Sequence, residues 1–546
     1  MKSTVAKLSK GAAALDHAYG DALQRIEGQL DGDYRLAKAV LSWITFAKRP
    51  LTTAEICCAL AVEPDEPELD PENEPDADDL VSVCAGLVVV DPESAVIRLV
   101  HYTTQEYFER ISYRFNPDAQ LLIAETCLTY LSFSAFESGS CATKKDFGER
   151  LRQHELLDYA ARYGGEHARC VEAEVAQAVH SFITHKGLLA CATQVLCVPS
   201  YKYRKSDPAS TGLHWAARFG LCEVAKRYLR IAGRDVVDAV NAQDSQGGDP
   251  LLYAAKHGHY EMAKLLLNKG ADVNAQGGFY GNALYAASSG GHEQIVKLML
   301  EKGADVKAQS VGHGDALQAA SFGGHEQIMK LLLDKSADFS AQDGYYSNAL
   351  YAASSGGHEQ IVKLLLEKGA DVNVQRGGHG NALQAASFRG HEQIVKLLLD
   401  KAADVNKQSG DYGNALHAAS SGGHEQIVKL LLDKAADVNK QSGDYGNALY
   451  AASSGGHEQI VKLLLDKSAD VNAQRGDYGN ALQAASSGGH EQIMKLLLEK
   501  GADINAQRGG HGNALQAASS RGQEAVVMLP LENDADGCTA GNEGNL

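Results

Sequence analysis

A fixed interval of 33 residues governs the second half of the sequence. The triplet His-Glu-Gln recurs at that spacing, with its histidine at His292, His325, His358, His391, His424, His457 and His490. His259 lies one interval before this series and Gln523 lies one interval after it. A period of this length is typical of one supersecondary unit that is copied along the chain and stacks on its neighbours. Together with the length of 546 residues, this period predicts a quasi-linear array of repeats with other domains before it.

Each unit predicts two helices. In the copy around residue 450, Asn447 is placed to cap a short helix "ALYAASS", the pair Gly455 and Gly456 ends it, and "HEQIVKLLLDK" forms a second helix. The apolar residues of the second helix exceed what one unit can bury. Neighbouring units must therefore stack to cover them.

Three stretches carry a resemblance to a known family. "TGLHWAARFG" at 211–220, "GHYEMAKLLLNKGADVNAQ" at 258–276 and "GHEQIVKLLLEKGADVNVQ" at 357–375 resemble ankyrin repeats. The array contains about ten such units, with five extra residues around "IAGRDVV" between the first two. Later copies open with Asn-Ala where the family has Thr-Pro, and Pro530 interrupts the last unit. Asparagine keeps the capping oxygen, so we expect the fold to persist.

The residue after each second helix varies in a way that bears on stability. Gly270 and Gly303 occupy this position in two copies, whereas Ser336, Ala402, Ala435 and Ser468 occupy it in others. If the backbone is left-handed there, each replacement costs ~1 kcal/mol.

A few positions change between otherwise constant copies, and they are the candidate site. They lie at the loop tip before each short helix, on that helix and near its end. The candidate protein-binding residues are Phe279, Tyr280, Tyr285, His313, Phe322, Tyr345, Tyr346, Tyr351, His379, Phe388, Arg389, Tyr412, His417, Tyr445, Tyr450 and Tyr478. The ankyrin resemblance implies that tips and short helices line a concave groove for a protein ligand, and aromatic side chains suit such a groove. The other interpretation, packing between tips and helices after duplication of a two-repeat block, remains open.

The sequence offers no metal or cofactor site. Stacked helices lie ~8 to 10 Å apart, whereas two imidazoles on one zinc each need a nitrogen ~2 Å from the ion. The repeated histidines are therefore expected to bond to adjacent loops. His154, His167 and His214 form no triad and no ligand spacing, which indicates structural histidines.

The first two hundred residues predict a different domain. "YRLAKAVLSWITFAKRPLT" has helical spacing, Thr52 or Thr53 can cap "AEICCALAV", and "GLVVVDPESAVIRLVH" predicts a hairpin before a helix at "YTTQEYFERI". This order is typical of a winged helix. Residues 51–100 hold 13 acidic side chains and one basic one, within a chain of net charge −18. Such a segment repels phosphates, so we expect neither nucleic acid nor an anionic membrane as partner.

Several stretches of these residues are also similar to a segment found in a known family of proteins. "RPLTTAEICCALAVEP", "DLVSVCAGLVVVD", "IRLVHYTTQEYFER" and "LLDYAARYGGEHAR" resemble the part that follows the NACHT module in fungal NLR-like proteins, a segment catalogued as a GPI inositol-deacylase winged helix. No GxxxxGK[ST] phosphate loop and no GxSxG elbow occur in the sequence. The resemblance thus implies a signalling architecture without a nucleotide site or lipase chemistry in this chain.

We therefore predict a mainly α protein, an ankyrin-repeat solenoid preceded by a winged-helix domain and a small helical region. The predicted boundaries are 1–115 for the winged helix with its acidic loop, 116–205 for a helical linker domain, 206–530 for the repeats and 531–546 for a disordered tail. Scattered cysteines, no signal peptide and no long apolar run predict a cytoplasmic protein.

The predicted function is non-enzymatic protein recognition, as the sensor part of an NLR-like system for non-self or stress. The alternatives are a truncated regulator that acts in trans on a full-length NACHT-ankyrin relative, and an incomplete gene model of a nucleotide-dependent switch.

Overall fold

The computed structural model describes most of the chain. The described residues are 2–64, 66–197, 209–277, 281–310, 314–341, 348–374, 380–408, 413–441, 446–474, 479–506, 513, 514, 516 and 517. Two compact units divide the chain at residues 278 and 279. Pro530 and the predicted tail 531–546 lie outside the described residues.

The first unit begins with a winged helix. Its elements are α1 (Lys2–Glu27), α2 (Asp31–Phe46), β1 (Leu51–Thr52), α3 (Thr53–Leu60), α4 (Ala77–Val83), β2 (Val88–Val90), β3 (Val96–Leu99) and α5 (Tyr102–Phe115). The three strands form an antiparallel sheet in the order β1-β3-β2, with Leu51 opposite Ile97 and Val89 opposite Arg98. Thr52 caps α3 through a capping box with Glu55, which confirms one of the two predicted caps. The acidic loop between α3 and α4 contains a short 3-10 helix, Pro71–Asn73.

Five helices follow and complete the helical region. They are α6 (Ala119–Leu131), α7 (Lys144–Gln153), α8 (Leu157–Cys170), α9 (Glu172–Thr184) and α10 (Lys186–Cys197). Tyr159 of α8 is fully buried against Trp43 of α2, with ring centroids 5.6 Å apart. Its hydroxyl accepts a hydrogen bond from the Lys48 amide at 3.1 Å. The helical region and the winged helix therefore share a core.

The first two repeats belong to the same unit. Their elements are α11 (Gly212–Phe219), α12 (Cys222–Ala232), α13 (Val236–Val240), α14 (Pro250–Lys256), α15 (Tyr260–Asn268) and β4 (Gln276–Gly277). The five extra residues predicted around "IAGRDVV" lie where α12 ends, in a 3-10 turn (Gly233–Asp235) and α13.

Helices α8 and α9 cover the first repeat. A Cβ added to Gly165 would lie 2.3 Å from the Phe219 ring, so only glycine permits this approach. The Glu172 carboxylate accepts the Val224 amide at 3.0 Å near the N-terminus of α12, where a negative charge is favourable. A terminal repeat needs such a cover for its apolar face, and the helical region supplies it.

The second unit contains the later repeats. Its elements are β5 (Gly281–Asn282), α16 (Ala283–Ser289), α17 (Glu293–Glu301), α18 (Ala316–Gly323), α19 (Glu326–Asp334), α20 (Ala349–Gly356), α21 (Glu359–Glu367), α22 (Ala382–Arg389), α23 (Glu392–Asp400), α24 (Ala415–Gly422), α25 (Glu425–Asp433), α26 (Ala448–Gly455), α27 (Glu458–Asp466), α28 (Ala481–Gly488) and α29 (Glu491–Glu499). Repeats 1 and 2 are the pairs α11/α12 and α14/α15, and repeats 3 to 9 are the seven pairs from α16/α17 to α28/α29. In each pair we call the helices the first helix and the second helix.

Each second helix buries one apolar stripe. In α27 this stripe is Ile460, Val461 and Leu464, which are at most 2% exposed. The i, i+4 pair Glu458 and Lys462 lies outside it, and both side chains are more than a third exposed. Apolar burial at helical spacing holds the repeats together, and the exposed ion pairs add little.

Asparagine side chains clamp one repeat to the next. In the best example, Asn406 Oδ1 accepts the Asp437 amide at 2.8 Å, and Asn406 Nδ2 donates to the Ala435 carbonyl at 3.2 Å. The same pair of bonds is made by Asn241, Asn373, Asn439 and Asn472. Lys307 and Ser340 occupy this position at the ends of repeats 3 and 4. Neither side chain has an amide that could make the two bonds.

Candidate functional site

The start of each first helix is organised by its cap. Asn447 accepts the Tyr450 amide at 2.9 Å, which confirms the predicted cap. The other caps of this kind in repeats 3 to 9 are Asn282, Asp315, Asn348, Asn381, Asn414 and Asn480. The residue three positions after each cap is the variable Tyr, Gln or His of the sequence.

Packing accounts for this variable position. Gln384 is fully buried, and its side-chain amide donates to the carbonyls of Lys407 at 3.0 Å and Gly413 at 2.6 Å, both beyond its own repeat's second helix. Tyr351 and His417 are only 6% and 7% exposed. Tyr285 and Tyr450 are half-buried. These contacts favour the packing interpretation at this position.

The repeated histidines form a ladder of hydrogen bonds. Nε2 of each lies 2.7 to 3.3 Å from the carbonyl oxygen of the residue 36 positions earlier, in the preceding repeat. The six are His325, His358, His391, His424, His457 and His490. A carbonyl can only accept, so Nε2 carries the hydrogen. These histidines thus bond to the preceding repeat, at the end of its first helix rather than at a loop as predicted.

A bond of the same kind occurs within the first unit. His259 bonds to the Arg218 carbonyl at 2.9 Å across 41 positions, because the five extra residues of repeat 1 intervene. Each ring also lies close to a glycine of the preceding repeat. A Cβ on Gly324 would lie 2.5 Å from the His358 ring, and Gly324 has a φ of 78°. The paired glycines therefore make room for the imidazole as well as ending the helix.

The residue whose carbonyl receives this bond is the variable position at the end of the first helix. It is Phe322 in repeat 4 and Phe388 in repeat 6, and their carbonyls accept from His358 and His424 at 2.7 and 2.9 Å. Phe322 is 36% exposed, Phe388 is half-buried, and the adjacent Arg389 is exposed. The ladder thus fixes the backbone, while the side chain at this position is exposed in Phe322 and half-buried in Phe388. Serine occupies the position in repeats 3, 5, 7, 8 and 9, at Ser289, Ser355, Ser421, Ser454 and Ser487.

The remaining candidates lie at the loop tips. They are Phe279, Tyr280, His313, Tyr345, Tyr346, His379, Tyr412, Tyr445 and Tyr478, and all of them lie outside the described residues. Their predicted place in a groove stays a prediction.

The histidines of the first unit have structural surroundings. His167 is fully buried between the Tyr159 hydroxyl and the Gln120 side-chain oxygen, each 2.8 Å away, and burial lowers its pKa to about 3. His214 Nδ1 accepts the Thr211 amide at 3.0 Å, and its Nε2 donates to the Gly248 carbonyl at 3.1 Å. Neutral, bonded rings of this kind are packing groups.

Two features were missed by sequence reasoning. The asparagine clamp could have been found, because the asparagine of "DVN" recurs at the same interval of 33 residues as the histidine. A groove beside the acidic loop of residues 63–79 could not, since it needs helices from two distant segments. Within the part of the chain that the structure describes, no helix combines the length and apolar character needed to cross a membrane.

Comparisons with known families agree with this geometry. The model for ankyrin repeats (3 copies) matches in six overlapping stretches, 213–310, 284–376, 316–409, 383–475, 416–508 and 449–540. The model for the GPI inositol-deacylase winged helix domain matches residues 26–114. The chain therefore has a winged-helix domain N-terminal to ankyrin repeats, and the repeats support a role as a protein-interaction scaffold.

One curated relative is a fungal protein. The chain is 29% identical over 316 residues to azaphilone pigments biosynthesis cluster protein L from Monascus ruber. The similarity covers 50% of this chain and 66% of the relative. The chain thus matches just under two thirds of that protein's length.

Proposed function

Because the chain belongs to the ankyrin-repeat family, we propose that it is a non-enzymatic protein-recognition scaffold that acts in the cytoplasm. In this proposal the array is the sensor part of an NLR-like system of the fungal type, which recognises non-self or stress. The winged-helix match and the fungal relative support that context.

The observation that carries the proposal is the surface position at the end of the first helix. Its backbone is held by a histidine of the next repeat whether the side chain is serine or phenylalanine. Phe322 and Phe388 are displayed in this way two repeats apart, roughly 16 to 20 Å at the usual spacing of stacked helices. Arg389, the next residue along the helix, is exposed and adds a guanidinium that can donate several hydrogen bonds.

We propose that the partner is a protein with two apolar contact points at this spacing. Aromatic anchors in an interface typically contribute ~2 kcal/mol or more each when truncated. The loop-tip residues, among them Tyr346, Tyr412 and Tyr445, would complete the surface in the groove that the ankyrin resemblance implies.

The chain itself supplies the matched substitution. Phe322→Ser and Phe388→Ser place at repeats 4 and 6 the residue found in the neighbouring repeats. The double variant should retain its circular dichroism and thermal unfolding, and it should weaken binding to a captured partner by at least 100-fold. Alanine at Tyr346, Tyr412 and Tyr445 should add to this loss.

The control uses the second helices. Lys363→Ala and Lys396→Ala remove exposed ion pairs to Glu359 and Glu392, which stabilise little. If the lysine variant loses binding and the phenylalanine variant does not, the partner docks on the second helices and the proposal fails. If the phenylalanine variant unfolds, the rings are packing groups.

A second candidate is a regulator that acts in trans on a NACHT-containing relative. It is favoured by the winged-helix match without a GxxxxGK[ST] sequence in this chain. Calorimetry with ATP or GTP and Mg²⁺ should show no binding. A dissociation constant in the micromolar range would mean that the chain holds a nucleotide itself, and direct binding to a NACHT-containing protein would favour the regulator.

A further inference from the structure

One groove of the first unit lies between the acidic loop and two helices. It encloses about 630 Å³. Its apolar lining comes from Val62, Pro64 and Pro67 of the loop, Leu122 and Leu128 of α6, and Ala178 of α9. Half of the lining residues are therefore apolar, and they come from three separate segments of the chain.

The charged groups of this groove are carboxylates. Glu66 and Glu125 are exposed carboxylates at its edge, and none of the described lining residues is basic. The Thr126 and Ser132 hydroxyls donate to the carbonyls of their own helix, each at 2.8 Å. With those protons used, both oxygens present lone pairs to a ligand.

The loop side of the groove is held in place. The Ser134 amide donates to the Pro67 carbonyl at 2.9 Å, and the Asn73 side-chain amide donates to the Glu63 carboxylate at 3.1 Å. Prolines at 64, 67, 71 and 75 restrict the backbone further. A groove anchored in this way loses little entropy when a ligand enters.

A second depression adjoins the first. It encloses about 360 Å³ and is lined by Glu63, Glu66, Glu68 and Asp70, so Glu66 contributes to both. A ligand in the groove would thus extend toward a second cluster of carboxylates. Ligand cations along this path would meet negative charge at two places.

We propose that this groove binds a positively charged polypeptide segment that also carries aliphatic residues. Lysine and arginine match a surface whose charged groups are carboxylates, and their aliphatic stems can lie along Leu122 and Val62 while the charged ends reach the carboxylates. Nucleic acid and anionic lipid surfaces are unsuitable partners, since the carboxylates of the groove would repel them. The proposal concerns a different surface from the repeat array and does not depend on the proposed function.

The probe is a labelled 12-residue peptide with four lysines, four leucines and four glycines, and fluorescence anisotropy with the full chain measures its binding. The double variant Glu66→Lys with Glu125→Lys should raise the dissociation constant of the peptide at least tenfold. The double variant Glu66→Gln with Glu125→Gln should raise the dissociation constant less, because glutamine removes the negative charge without reversing its sign. Raising the salt concentration should weaken binding to the unchanged protein.

The matched control changes net charge by the same amount elsewhere. Glu93→Lys with Glu106→Lys alters two exposed carboxylates outside the groove lining and should change binding less than twofold. Equal losses in both lysine variants would mean general charge attraction and would overturn the proposal, as would unchanged binding in the groove variant. A peptide with serine in place of leucine that binds as well would overturn the aliphatic part.

Discussion

The first two repeats and the seven that follow share one backbone plan and differ in how well their residues fit it. Repeats 1 and 2 carry buried Ala217 and Ala255 one position before the ladder position, the residue whose carbonyl accepts the histidine bond in later repeats. Repeats 3 to 9 carry a fully buried serine there, and in five of them its hydroxyl has no hydrogen-bond partner. Near-identical copies repeat the same local cost, so a small penalty in one unit becomes a large one in the array.

The position after the second helix shows the same contrast. Gly270 of repeat 2 has a φ of 94°, and Ser336, Ala402, Ala435 and Ser468 have φ values between 62° and 65°. The backbone is left-handed in all of them, which is the condition under which a cost was expected from the sequence. Non-glycine residues there cost ~1 kcal/mol each. Repeats 4, 6, 7 and 8 are therefore each less stable than a repeat with glycine at this position.

The largest expected effect comes from making the later repeats resemble the first two at the buried serine. The unpartnered hydroxyls belong to Ser288, Ser354, Ser387, Ser420 and Ser453. Changing all five to alanine should stabilise the array by ~5 kcal/mol, since an unsatisfied buried hydroxyl costs ~1 kcal/mol or more. Urea unfolding followed by circular dichroism measures the shift.

Ser321 is the control for this comparison, because its hydroxyl donates to the Leu317 carbonyl at 2.6 Å. Ser321→Ala should gain little. An unchanged urea midpoint in the five-alanine variant would show that the hydroxyls are satisfied in solution.

Glycine at the four left-handed positions should have the next largest effect. The combined change of Ser336, Ala402, Ala435 and Ser468 to glycine should stabilise by ~4 kcal/mol. The reverse change, Gly369→Ala at a φ of 89°, should destabilise by ~1 kcal/mol. If both changes leave thermal unfolding unaltered, backbone strain does not separate the two groups of repeats.

The buried, charged carboxylate of Asp249 destabilises repeat 2 at neutral pH. Burial raises the pKa of its carboxyl to about 6, and the Leu252 amide bonded to it opposes this only in part. A raised pKa stabilises the fold below pH ~4, and this contribution is lost as the pH rises through about 6. Asp249→Asn, which matches the asparagine caps of later repeats, should stabilise by roughly 2 to 3 kcal/mol at pH 7.

The same variant should show little gain at pH 4, where the wild-type carboxyl is protonated. Thermal unfolding of both proteins between pH 4 and 8 tests this. A constant difference across that range would exclude the buried charge as its cause.

The smallest effect is expected at the two junctions without an asparagine clamp. Lys307→Asn and Ser340→Asn would restore the two hydrogen bonds per junction that Asn406 makes, and together they should stabilise repeats 3 to 5 by ~2 kcal/mol. Hydrogen exchange at the amides of Asp338 and Asp371 should slow. Asn406→Ser should accelerate exchange at Asp437, and equal protection at clamped and unclamped junctions in the unchanged protein would contradict the comparison.

Sequence reasoning reached furthest where contacts are local. The caps at Thr52 and Asn447, the hairpin at 88–99 and the helix pairs follow from residues that are close together in the sequence. It failed where the partner is distant, as with Phe219 against Gly165, or the groove formed by residues 62–67, 122–132 and 178–181. Burial of Tyr351 and His417 was equally out of reach, because it depends on neighbouring repeats.

The amino-acid sequence by itself determined the repeat architecture of this protein. Helix capping, the period of 33 residues and the apolar stripes are nearest-neighbour properties, and stacking then follows because a single unit cannot bury its own apolar surface. Tertiary structure alone decided which variable side chains reach the surface and which are packed away. Exposure depends on atoms from other repeats, and it separates the exposed Phe322 from the buried Tyr351 although both vary in sequence.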